Sequence, residues 1–173
     1  LDSAFPAFAE KSVEEMMMAE EAVEEEMLTP YPSVCELIEQ RRKDGYRIAF
    51  ISDMYLNSKF LRQVLEHCGC SQAEDHIFVS CEHGARKDTG RLYDVVRKQL
   101  HPKEWIHYGD NKRSDIKMAR RKGIRAVYIN TSYNDVEKAC TPVFPSMAAL
   151  SRRYRLEHEE DEFAGFAADC VVP

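Results

Sequence analysis

Four short apolar runs, each followed by a polar turn and a stretch of helical length, limit what this chain can fold into. They are Tyr46–Ile51, Ile77–Ser80, Trp105–Tyr108 and Arg125–Asn130. Each is too short for a helix, and the first, bounded by Gly45 and Ser52-Asp53, reads as a parallel strand buried on both faces. Between the runs lie Ser58–His67, Thr89–Leu100 and Ser114–Lys122, and the second of these carries Leu92, Val95, Val96 and Leu100 along one side. A further helix is expected at Pro145–Tyr154. Strand and helix in this order predict an α/β fold: a doubly wound, Rossmann-like parallel sheet with helices on both faces and right-handed crossovers.

The chain ahead of the first run is different in kind. Phe8 to Leu28 contains no Gly or Pro and sets Phe8, Val13, Met16, Met17, Val23 and Met27 among many Glu. That pattern predicts one or two amphipathic helices with an acidic face, the methionines filling gaps in a core. Thr29-Pro30-Tyr31-Pro32 ends it, and Ser33 is placed to cap a helix from Val34 to Asp44 that stops at Gly45. Three regions are expected: a helical, cap-like segment over residues 1–29, an α/β core over 30–155, and a charged linker leading into a further segment over 156–173.

Totals narrow the function classes. With 173 residues, 44% hydrophobic and 31% charged, the chain has the composition of a soluble globular protein. No apolar run approaches the roughly 18–20 residues that cross a bilayer, and Leu1–Glu10 lacks the order of a signal peptide, so a cytoplasmic location is expected. The net charge is −6, yet Leu1–Leu28 alone carries −8, which leaves +2 for the rest and no field to attract nucleic acid. Six cysteines at unpaired spacings read as free thiols. His67-Cys68-Gly69-Cys70 lacks a second pair to complete a zinc site and reads as a helix end closed by Gly69.

In an open parallel sheet, ligands bind beyond the carboxyl ends of the strands. Three such ends carry chemistry here: Ser52-Asp53 after the first run, the loop Ser80–Gly90 with Arg86 and Lys87, and Gly109-Asp110-Asn111-Lys112-Arg113-Ser114-Asp115 after the third. Taken singly, each has a plain structural reading as a helix cap, a solvated charge or a complement to a helix dipole. Together they supply a hydroxyl donor, a lysine and two carboxylates, the parts needed for phosphoryl transfer with a hard divalent cation.

In these motifs the chain resembles the haloacid dehalogenase-like hydrolases, most clearly from about Pro30 to Asn130. The resemblance implies that Ser52 binds the transferring phosphoryl group and that Lys87 steadies the nucleophile and the phosphate. Gly109-Asp110 with Asp115 is similar to the family's Gly-Asp-x4-Asp motif, which implies magnesium as cofactor, with Asp110 as its ligand and Asp115 in support at the metal end. Asp53 and Asn111, beside these motifs, are expected to touch substrate. Phe50-Ile51-Ser52-Asp53-Met54-Tyr55-Leu56 is similar to a bacterial subgroup often joined to glycosyltransferase domains, which implies a small phosphorylated substrate, such as a sugar phosphate, and a glycosyltransferase domain as fusion or partner.

One part of that resemblance fails. The family's nucleophile is the first Asp of an Asp-x-Asp pair on the first, central strand, and no Asp-x-Asp occurs in this sequence. Leu1–Asp44 reads as helices, so the strand is expected upstream of Leu1, and without it two neighbouring strand edges would face one another unpaired. Two function classes stay open: a magnesium-dependent phosphatase-type hydrolase, and a non-catalytic phosphate- and cation-binding or regulatory module. A receiver-like signalling domain fits less well, because Ser52-Asp53 lacks the partner acids such a site needs.

Overall fold

The structure, a computed structural model, describes residues 12–28, 30–129, 150, 152 and 154. The expected helix at 145–154 and the proposed linker at 156–173 lie almost wholly outside these residues.

Helix α1 (Val13–Met27) opens with a capping box: Ser12 Oγ accepts from Glu15 N, and Glu15 reaches back to Ser12 N. Met16 is half-buried, but the next two methionines do not pack as expected. Met17 and Met18 are exposed, as are Val13 and Val23. The helix is held instead through polar contacts, Tyr55 OH to Glu20 at 2.7 Å and His67 beside Glu25 at 3.9 Å. Helix α2 (Pro32–Lys43) has Pro at its first position, where no donor is lost. It starts one residue ahead of Ser33, the cap expected from the sequence.

The four apolar runs form four short strands: β1 (Ala49–Ser52), β2 (His76–Val79), β3 (Ile106–Gly109) and β4 (Arg125–Tyr128). Between them stand α3 (Ser58–His67), α4 (Ser80–His83), α5 (Arg91–Leu100), a π-helical turn (Lys112–Met118) and α6 (Ala119–Arg121). The four-residue helix α4 occupies part of what reads as loop in the sequence. Asn57 caps α3 by accepting from Phe60 N at 2.9 Å, and Gly69, with φ +67°, turns the chain out of that helix.

Every strand pair is parallel, but the sheet is split. Among the described residues β1 pairs with β2, Ala49 opposite His76 through Ser52 opposite Val79, and β3 pairs with β4, Ile106 opposite Arg125 through Gly109 opposite Tyr128. Among the described residues these two pairs do not join into a single continuous sheet. β1 and β3 instead flank a slot of about 680 Å³ whose walls include Ile48–Ile51, Trp105–Gly109 and Leu37, Ile38 and Arg41 of α2. The unpaired edges anticipated from the sequence are these two.

Helix α5 spans the break. Leu92 and Val96 pack with Phe78 and Ala85 on the β1–β2 side, while Tyr93 packs with Ala119, Ile124 and Ala126 on the β4 side. Ile51 and Trp105 touch both clusters. Tyr93, Leu92 and Val96 are among the largest fully buried side chains, so one helix face ties together two half-sheets that share no strand hydrogen bonds. Among the described residues no helix is long and apolar enough to cross a membrane.

Candidate active site

Within each strand pair the strands are parallel, and the turns after β1, β2 and β3 come together around one space. There Ser52, Asp53, Lys87, Asp110, Asn111 and Asp115 line one polar hollow of about 440 Å³, joined by Arg86, Asp88, Arg113 and Ser114. The four residues singled out for catalysis and the two singled out for substrate are thus brought together around a shared space.

Asp115 organises it. The side chain is 4% exposed, and Oδ1 accepts from Lys87 Nζ at 2.7 Å and lies 3.1 Å from His107 Nε2. Oδ2 accepts from Asn111 N at 3.1 Å. Burial works against ionising this acid. The His107 hydrogen bond, the Lys87 ammonium and the Asn111 N–H outweigh it and hold the carboxyl well below the usual carboxylate range. Because both oxygens of Asp115 only accept, His107 carries its proton on Nε2. Tyr93 OH lies 3.2 Å from the same nitrogen and donates to Ser114 O at 3.0 Å. Burial, with the charges of Asp115 and Asp53, pushes the Tyr93 hydroxyl up, which keeps it a donor.

Local backbone geometry makes this contact possible. Asn111 caps the π-helical turn, its Oδ1 accepting from Arg113 N and Ser114 N at 2.9 and 3.0 Å. The wider turn, with Ile116 N reaching Asn111 O at 3.3 Å, swings Asp115 inward over the end of β3. A Cβ at Gly109 would lie 2.6 Å from the Asp115 Cβ, so only glycine admits the carboxylate here.

Asp53 has a role that its sequence position did not reveal. Its carboxylate accepts from Lys87 N at 2.9 and 3.1 Å and so clamps the lysine-bearing loop to the end of β1. Asn111 likewise uses its side-chain oxygen as a cap. Ser80 OH donates to Met54 O at 3.1 Å, a second tie between the same two loops. Sequence reading also missed His107 and Tyr93. A lone histidine in a strand and a lone tyrosine in an apolar helix carry no spacing that separates them from core residues.

The fit to a cation is partial. Asp115 has committed both oxygens, whereas Asp110 is exposed at the rim of the hollow. Among the described residues no group of three His, Cys, Asp or Glu is arranged to hold a metal ion. Asp110 offers a hard oxygen of the kind magnesium takes, but these residues alone do not make a full coordination shell.

The slot and the hollow meet. Lys87, Asp110 and Asp115 line both, so the slot opens at its carboxyl end onto the polar residues. A family model described as haloacid dehalogenase-like hydrolase matches residues 2–123, well over half of the chain. No curated protein matches it.

Proposed function

The chain belongs to the haloacid dehalogenase-like hydrolases, and on that premise we propose that it is the phosphate-handling part of a magnesium-dependent phosphatase acting on a small phosphorylated metabolite, of which a sugar phosphate is one candidate. The observation that carries this reading is the meeting of the slot with the hollow. An extended segment laid in the slot parallel to β1 and β3 would hydrogen-bond both free edges. Its carboxyl end would then stand beside Lys87 and Asp115.

A carboxylate at that point is the nucleophile the reaction needs. It attacks phosphorus, the ester oxygen leaves with a proton, and water then cleaves the acyl phosphate to free phosphate and the carboxylate. In that scheme Ser52 OH donates to a phosphoryl oxygen, and Lys87, fixed by Asp115 and Asp53, offsets the charge that builds on the transferring group. Arg86 and Arg113 on the rim add positive charge at the entrance. Magnesium, when bound, would neutralise phosphoryl charge, with Asp110 as the oxygen ligand this chain provides.

Steady-state release of phosphate from a generic phosphomonoester by the complete gene product tests the proposal. The expected result is turnover that a chelator abolishes and that Asp110→Asn lowers by roughly 100-fold or more. Turnover indifferent to both would remove the magnesium-dependent reading. The absence of Asp-x-Asp from this sequence favours a second reading, a phosphate-binding module without chemistry. It predicts saturable phosphate binding that Lys87→Met weakens, with no turnover.

The residues 1–29 stand apart from the hollow in sequence, and we assign them the role of cap, with residues 30–155 as core.

A further inference from the structure

Three cysteines meet at the corner where α2 docks against the turn that ends α3. Cys35 Sγ, on α2, lies 2.7 Å from Cys70 Sγ, and Cys70 Sγ lies 3.5 Å from Cys68 O. All three are free thiols, Cys70 buried and the others half-buried, and among the described residues no three ligands are arranged for a metal. We propose that Cys35 and Cys70 are a redox pair that closes to a disulfide when a small-molecule disulfide such as oxidised glutathione is present, making a covalent ring of the segment that carries β1, Ser52 and Asp53.

Geometry set by other groups supports the pairing. Cys35 and Arg42 are seven residues apart and so share one face of α2. Arg42 donates to Cys70 O at 3.1 Å and pairs with the buried carboxylate of Asp75. The backbone carrying each sulfur is therefore pinned to its counterpart without help from the thiols. The sulfurs need move by less than about 1 Å to reach the bonding distance of a disulfide.

The exchange balances. Cys35, having lost its proton, attacks one sulfur of the oxidant, breaks its S–S bond and releases one glutathione thiolate. Cys70 then gives its proton to solvent and attacks the Cys35 sulfur, releasing the second. The two cysteines lose two electrons and the oxidant becomes two thiols. Burial, with the Cys35 contact and neighbouring thiols, pushes the Cys70 thiol up, which disfavours Cys70 as the first attacking group.

The consequence falls on α2. Leu37, Ile38 and Arg41 of that helix form one wall of the slot, so tying α2 to the end of α3 stiffens the wall. The proposal stands on these contacts alone and does not depend on the hydrolase reading.

Purified protein equilibrated in glutathione buffers of graded ratio, alkylated and digested without reduction gives the test. The expected result is a peptide linking Cys35 to Cys70 and a rise of about 5 °C or more in thermal midpoint, both reversed by dithiothreitol. Cys35→Ser should abolish both, while Cys68→Ser and Cys81→Ser keep them. Alkylation of Cys35 and Cys70 across every buffer, or a linkage through Cys68 in place of Cys70, would overturn the proposal. If Cys35→Ser does not fold, the peptide map of the unaltered protein decides alone.

Discussion

Asp115 is spent entirely on other groups: its two oxygens serve Lys87, His107 and the Asn111 N–H. Asp115→Asn would leave the Lys87 ammonium, 14% exposed, without its counter-charge, at a cost of about 3–5 kcal/mol. Denaturant titration of the two proteins at neutral pH checks this. The same carboxyl makes acid stability pH-dependent. The unfolded chain titrates it near pH 4 and the folded protein only well below, so its contribution is complete above about pH 4 and is lost as the pH falls toward the folded pKa. Below about pH 4 the unaltered protein should lose stability more steeply than Asp115→Asn, by about one proton in the slope of unfolding free energy against pH. Equal slopes would show that the carboxyl is not held low. Ser52, Lys87, Asp110 and Asp115 were legible in the sequence because each follows a strand and each is polar where a core residue would be apolar. The Asp53 clamp on Lys87 N was not, since a side chain that accepts from a distant backbone amide leaves no spacing to read.

Elements decide whether those residues can meet. Gly109 ends β3 under the Asp115 side chain, where a methyl group would lie 2.6 Å from the Asp115 Cβ. Gly109→Ala should therefore shift the π-helical turn, cost about 1–3 kcal/mol and lower phosphate release in the complete protein, read by thermal melting and by assay. Helix α5 bridges the two half-sheets through Leu92, which is fully buried. Leu92→Ala should cost about 2–5 kcal/mol in a denaturant melt, with loss of cooperativity because the half-sheets share no strand hydrogen bonds. The strands were legible as short apolar runs bounded by turn residues, as in Ala49-Phe50-Ile51, although β1, which lines the slot, is only half-buried and not the fully buried strand the sequence suggests. Two elements were hidden for physical reasons. Helix α4, only four residues long, is too short to show a period, and the π-helical turn at Lys112–Met118 differs from an α-helix in hydrogen bonding more than in side-chain pattern. For α1 the sequence misled in part: apolar residues at helical spacing suggested a packed face, yet Val13, Met17 and Val23 stand exposed while Met16 is half-buried.

At the scale of the whole molecule, two parallel half-sheets face one another across a slot that runs down to the polar hollow. Under the hydrolase proposal that arrangement gives the nucleophile a place: an acid at the carboxyl end of a segment lying between β1 and β3. A crystal structure of the complete gene product tests this most directly. The account predicts a strand in the slot, parallel to and hydrogen-bonded with both β1 and β3, ending in a carboxylate within hydrogen-bonding reach of Lys87 Nζ. Direct pairing of β1 with β3, or a slot closed by apolar side chains with no acid near Lys87, would contradict it.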